Sequence, residues 1–213
     1  MTLPALTIIE EDDQFIIVEK PGGMLAVPGR GPGKQHCVAS ELRGMFSDMI
    51  GQPAVHRLDM HTSGLMVFAR TVQAHRHLSR QFAERQVEKL YIAEVMGRIN
   101  RDSGRIELPF RLDVENRPLQ IFDPIHGKTG ITTWRRLRIG NATTRLELRP
   151  LTGRTHQLRV HCAHPLGLSC PIIGDSLYGS GKDGDRMHLH ATMLRFRHPQ
   201  SARIQTYFSE PPF

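Results

Sequence analysis

Cysteine is scarce in this 213-residue chain: there are three, Cys37, Cys162 and Cys170. So sparse and odd a set argues against a disulfide framework and for a reducing, cytoplasmic setting. Long apolar runs are missing too, and nothing approaches the roughly 20 residues of a membrane span, so no membrane association is expected. The opening MTLPALTIIEEDD lacks a basic stretch leading into a long apolar core, which argues against a signal peptide. No Cys-x-x-Cys or His-x-x-x-His pair occurs. The spacings of five and three among His156, His161 and His164 do not match short-range zinc pairs, so no metal is expected. Glycine-rich loops of Walker or Rossmann spacing are absent, which leaves a nucleotide cofactor unsupported. Repeats, low-complexity tracts and linkers are absent as well, and the expectation is one domain over 1–213.

What is present is ordinary in bulk and uneven in detail. Hydrophobic residues at 39% and charged residues at 23% suit a folded chain with a substantial core rather than a disordered one. The net charge is +7, but residues 2–19 carry five acids and no Lys or Arg. Residues 134–159 carry seven arginines against one acid, Glu147. Such a stretch suits a polyanion, because the planar guanidinium fork fits phosphates and base edges. A solvated arginine-rich surface accounts for the charge equally well.

The pattern predicts many strands and few helices. Short β-rich runs at 6–9 and 15–19 flank an acidic turn, and Pro21-Gly22-Gly23 then breaks the chain. Residues 37–46 suit a short helix and 64–70 a buried strand. Thr71 is placed to cap a helix running to about Gln86, with Ala74, Leu78 and Phe82 at helical spacing. Strands follow at 89–97, through hairpins within 104–139, and at 143–151. Residues 155–164 read as a helix with Thr155 as cap, and two more strands close the chain. The expected class is α+β: a mixed, mostly antiparallel sheet with a few flanking helices.

Three stretches can carry chemistry. In HRLDMHTSG, Asp59 stands at a turn made by Thr62, Ser63 and Gly64. A carboxylate so presented is a nucleophile or base if a nearby cation keeps it ionised; equally, it bonds its own backbone in an ordinary turn. In LTGRTHQLRVH, Arg154 stands at the helix entrance and Arg159 inside an otherwise apolar pattern, where burial demands an acidic partner. Asp59 is one candidate; a surface arginine on an amphipathic helix is the alternative. In KLYIAEV, Tyr91 is either a core tyrosine with its hydroxyl satisfied or a ring lining a pocket.

In order along the chain, HRLDMHTSGLMVFAR, KLYIAEVMG, LRPLTGRTHQLRVH and the GDSLYG and LHA tail closely resemble the RluA-type family of RNA pseudouridine synthases. The resemblance runs from about residue 6 to the end, and the VPGR and NRPLQ stretches are most similar to the RluA subgroup, which modifies 23S ribosomal RNA and certain tRNAs. The short N-terminus leaves no room for the S4-type domain of many relatives. The resemblance implies the pseudouridine synthase fold, isomerisation of uridine in rRNA or tRNA, no cofactor, and a monomer as sufficient. It assigns Asp59 as the catalytic carboxylate, Tyr91 as the ring packing on the target uracil, and Arg159 as the partner of the aspartate. Arg57, Lys89, Arg154 and His156 are the expected RNA contacts, with Arg57 filling the gap left by a flipped base. A noncatalytic RNA-binding protein and a metal-dependent RNA hydrolase are the rival readings.

Overall fold

The computed structural model describes residues 6–182 and 184–213. Two units are distinguished: residues 1–89 with 190–212, and residues 90–189 with Phe213. Both follow the expected α+β class.

Unit 1 opens with β1 (Thr7–Glu11) and β2 (Phe15–Lys20), antiparallel across the acidic turn. Every residue of β1 is exposed, while β2 is buried along almost its whole length. Short helix α1 (Val38–Met45) is capped by Cys37, whose Sγ accepts from the Ser40 N–H while Ser40 Oγ accepts from the Cys37 N–H. Then comes β3 (Ser63–Ala69), seven residues buried on both faces, as its continuous apolar run requires. β3 lies antiparallel to β2 and makes a short parallel ladder, Ser63↔His190 and Gly64↔Ala191, with β9 (Leu189–Arg197). At that crossing Gly64 has φ +111, and a Cβ there would stand 2.4 Å from the Ala191 carbonyl oxygen, so only glycine fits. β10 (Ile204–Phe208) pairs antiparallel with β9.

Helix α2 (Val72–Ala83) packs Ala74 and Leu78 onto Phe15, Leu65, Val67, Leu194 and Phe196. Thr71 caps it as expected, its hydroxyl accepting from the Ala74 N–H at 3.1 Å. The helix ends three residues before Gln86, because Arg85 turns left-handed (φ 60) and the Gln86 N–H closes back on the Gln81 carbonyl at 2.8 Å.

Unit 2 begins within β4 (Glu88–Met96) and continues through β5 (Ser103–Leu112), β6 (Gln120–Phe122), β7 (Lys128–Ile139) and β8 (Thr143–Pro150). All the pairings β4–β8, β8–β7, β7–β5 and β5–β6 are antiparallel. Helix α3 (Gln157–Ala163) buries Leu158, Val160 and Cys162 against Leu108, Phe110, Trp134, Leu146 and Leu148. Its cap is not Thr155. His156 occupies that position in the left-handed conformation (φ 56) with no side-chain cap bond, and the Gln157 side chain secures the turn instead. Gln157 Oε1 accepts from the Thr152 hydroxyl (2.6 Å) and the Arg154 N–H (3.1 Å), while its Nε2 donates to the Ile131 carbonyl and Thr132 Oγ1. An amide with both ends engaged outcompetes a single hydroxyl there.

Candidate active site

In unit 1 the segment before β3 is built around backbone, and Asp59 rides on it. The Asp59 carbonyl accepts the Thr62 N–H at 3.1 Å, closing a tight turn that feeds directly into Ser63. The next carbonyl, Met60, accepts from the Gly23 N–H at 2.9 Å and from Lys20 Nζ at 2.9 Å. Lys20 is fully buried, and its Nζ also donates to the Pro21 and Met24 carbonyls, both at 2.8 Å. Three acceptors suit the ammonium form, which alone has three N–H donors. Burial nonetheless brings Lys20 down to about 7, and the charge of Asp59 opposes that fall. The backbone carrying Asp59 is therefore pinned from beneath by a cation that also feels its carboxylate.

His56 supplies the second anchor. Its Nε2 accepts the Val67 N–H at 3.1 Å, and its ring stacks on Phe82 at 4.5 Å. Between these anchors, Arg57 is exposed while Leu58 is buried and Asp59 half-buried. Lys89, at the end of this unit, is partly buried, and burial lowers its ammonium below the usual range.

In unit 2, Arg159 is 2% exposed and is held by Asp175, itself 1% exposed. The contact is bidentate: Nε to Oδ2 at 2.8 Å and Nη2 to Oδ1 at 2.7 Å. Asp175 Oδ1 also accepts from the N–H groups of Leu177 (2.9 Å) and Tyr178 (3.1 Å). Burial raises the Asp175 carboxyl, but the hydrogen bond and charge of Arg159, with those two N–H groups, outweigh it and leave it lowered. The guanidinium also lies 5.2 Å from the Tyr178 ring centre. Burial rules out a surface arginine on an amphipathic helix.

Tyr178 carries the arrangement further. Its hydroxyl accepts from the Gln120 N–H at 2.8 Å and meets His156 Nδ1 at 2.9 Å. His156 is 9% exposed and so lies mostly inside the unit, whereas Arg154 is exposed. Tyr91 is half-buried on β4, opposite Leu148, with its ring against the unit 2 core.

Asp175 and Tyr178 fall in GDSLYG, and Lys20 and His56 within the opening stretch and HRLD; none was assigned a role from sequence. The one available signal was the arginine inside an apolar helix, which demanded a buried acid without saying which.

The basic stretch is less open than its composition suggests. Arg135 and Arg149 both pair with Glu147, Arg138 and Arg145 with Glu94, Arg136 with Asp102, and Arg159 with Asp175. Arg154 has no acidic partner among the described residues. Among those residues no group of His, Cys, Asp and Glu is arranged to hold a metal ion, and no helix is long and apolar enough to cross a membrane.

One partly buried and one buried histidine make the fold acid-sensitive. Burial, helped by the charge of Lys89, lowers His56 to about 3. Burial alone lowers His161 to about 4; it stands edge-on to Phe110, and neither ring nitrogen has a hydrogen-bond partner. Both folded values lie below the unfolded value near 6.5, so the unfolded chain takes up protons first as pH falls. The stability they contribute is complete above about pH 6.5 and is lost below it. Between pH 7 and pH 5 the loss is about 2 kcal/mol per histidine, roughly 4 kcal/mol together. Urea unfolding at the two pH values measures this, and His161→Phe is expected to remove about half of the pH dependence. Equal midpoints for the native protein at pH 7 and pH 5 contradict the assignment.

A family model described as RNA pseudouridylate synthase matches residues 14–164. The dual-specificity RNA pseudouridine synthase RluA of Pasteurella multocida is 41% identical over 216 residues, spanning 100% of this chain and 96% of the relative. Its counterpart in Escherichia coli K12 is 39% identical over 214 residues, spanning 99% and 95%. Among solved structures, human RNA pseudouridylate synthase domain containing 1 superposes with a TM-score of 0.77 at 30% identity, covering 98% of this chain and 84% of that one.

Proposed function

The chain belongs to the RNA pseudouridylate synthase family, and from that premise we propose that it isomerises uridines in both 23S ribosomal RNA and tRNA, with Asp59 as the catalytic carboxylate. The observation that carries the reading is likeness along the whole chain to synthases named as dual-specificity. The turn bearing Asp59 supports it, because a braced carboxylate is what such chemistry needs.

The reaction is an internal rearrangement. The C1′–N1 bond breaks, the uracil turns, C5 bonds to C1′, N1 gains a proton and C5 loses one. Nothing is added and no electron is exchanged, so the chemistry calls for neither cofactor nor metal. Asp59 attacks C1′, adds to C6 of the base or removes a sugar proton; each route uses an ionised carboxylate. Tyr91 packs on the uracil, and Tyr91, Asp59 or water takes the C5 proton. Arg159, oriented by Asp175, serves the charge of the aspartate.

Arg57 fills the gap left by the flipped uridine, its guanidinium plane suiting a base stack. Lys89 and Arg154 meet phosphates, and His156, expected from sequence as an RNA contact but mostly buried and bonded to the Tyr178 hydroxyl, sets the path of the chain between Arg154 and α3. The protein works as one catalytic domain and as a monomer in the cytoplasm.

The test is tritium release from C5-tritiated uridine in 23S rRNA and in tRNA, followed by mapping of the modified positions. Release from both pools is the expected result. Release from neither overturns the reading, and release from one alone removes the dual specificity. In the same assay Arg57→Ala is expected to lose activity on folded RNA; full activity there sinks its role as filler.

A further inference from the structure

The LHA tail is a motif the proposed chemistry leaves unused, and its histidine lies fully buried in unit 1. His190 Nδ1 meets Ser63 Oγ at 2.8 Å, and its Nε2 meets Ser209 Oγ at 2.9 Å. Ser209 Oγ in turn bonds Glu19 Oε2. Ser63 and Ser209 are 8% and 7% exposed, so the chain runs almost entirely out of solvent. It ties β2, β3, β9 and the segment after β10 together. At one end it reaches Ser63, the residue after Thr62, whose N–H closes the turn on Asp59. At the other it reaches Glu19, next to Lys20, which holds the Met60 carbonyl of the same turn.

The direction of every proton in this chain follows from its end. An ionised carboxylate only accepts, so the Ser209 hydroxyl donates to Glu19. Ser209 Oγ then receives the His190 Nε2–H. A neutral ring has one N–H, so Nδ1 is bare and accepts the Ser63 hydroxyl proton. Burial lowers His190, with the charge of Glu19 opposing, and that favours the neutral ring the chain requires.

Building on the function proposed above, we infer that His190 is a positioning residue of the isomerisation: as the Nε2–H tautomer it locks Ser63 and so fixes the exit of the turn that presents Asp59. Catalytic groups need placement to within about 0.5 Å, and a rotamer locked from beneath supplies it. Ser63 with nothing to donate to would turn elsewhere, and the turn would open.

The variants separate this role from general support. Asparagine places its side-chain oxygen near the Nδ1 position and can accept from Ser63. Glutamine reaches only the Nε2 position and keeps the Ser209 bond alone. His190→Gln is therefore expected to lower kcat for tritium release about tenfold with RNA affinity unchanged, and His190→Asn to recover most of it. Ser63→Ala is expected to match His190→Gln, and the double variant to show no further loss, because residues acting as one unit are not additive. Wild-type kcat in His190→Gln, or effects that add in the double variant, overturn the inference.

Nitrogen-15 shifts of the His190 ring in the unaltered protein provide a test that needs no variant to fold. A proton on Nε2 with Nδ1 bare is expected; a proton on Nδ1 overturns the inference whatever the activity. Absence of turnover by the unaltered protein counts against the functional proposal instead, and the ring shifts still decide this one.

Discussion

Asp59→Asn is expected to abolish tritium release while leaving the fold and RNA affinity in place. Losing a catalytic group that forms or breaks bonds costs on the order of 10⁴-fold in turnover. Asparagine has nearly the same shape, and the parts of this turn that hold it are backbone: the Asp59 carbonyl to the Thr62 N–H, and the Met60 carbonyl to Gly23 and Lys20. None of these contacts needs the carboxylate. The change does reach Lys20, however. The charge of Asp59 is what opposes the fall of Lys20 towards 7, so its removal lowers Lys20 further. The variant's unfolding midpoint is therefore expected to fall below the native one at pH 6, where Lys20 is charged in the native protein, and to converge on it near pH 8, where Lys20 is neutral in both. Single-turnover tritium release, a filter-binding isotherm and urea melts at those pH values measure the three quantities. Substantial turnover by Asp59→Asn removes Asp59 from the chemistry.

Asp175→Ala is expected to be the most destabilising single change in unit 2. Arg159 is 2% exposed, so removing Asp175 takes away the bidentate acceptors of Nε and Nη2 in the interior. Breaking one side of a buried pair costs about 3–5 kcal/mol, most of it the price of an uncompensated charge. The N–H groups of Leu177 and Tyr178 lose their acceptor as well. Asp175→Asn keeps one acceptor oxygen for them but turns an amide towards the arginine, and is expected to fall between. The readout is urea unfolding of the three proteins, with tritium release measured below the transition. A native midpoint in Asp175→Ala contradicts the assignment of Asp175 as the counter-ion that holds Arg159 in unit 2.

The two cases differ in how much the sequence disclosed. The turn that carries Asp59 was legible because a turn-forming Thr-Ser-Gly and an apolar strand follow the carboxylate within a few residues. That Arg159 needed an acid was legible too, from its place among Leu158 and Val160. Which acid was not: Asp175 is 16 residues away, in an irregular Gly- and Pro-rich stretch with no period to place it. The strands came through well because β3, β4 and β8 carry long apolar or alternating runs. The start of α3 was misread because Gln157, an ordinary helix residue by propensity, secures the turn before the helix through contacts to β7 that local sequence does not contain. The arginines of 134–159 read as a polyanion surface because pairing across strands brings Glu94, Glu147 and Asp102 to them from separate positions. Exposed pairs of this kind are individually weak, so they restrain those arginines more than they stabilise the fold.

Unit 1 is sewn from two pieces of chain, residues 1–89 and 190–212, with all of unit 2 but Phe213 encoded between them. On the ribosome, β1, β2 and β3 emerge early, but the strand that completes the Ser63–Gly64 ladder follows only after β4 to β8. Closure over so long a loop is also slow compared with local pairing. The β5–β6 and β7–β8 pairs of unit 2, each between neighbours in sequence, have no such wait. The Asp59 turn thus acquires its final support only after unit 2 has been made, and a nascent chain that has not yet reached His190 lacks the finished site.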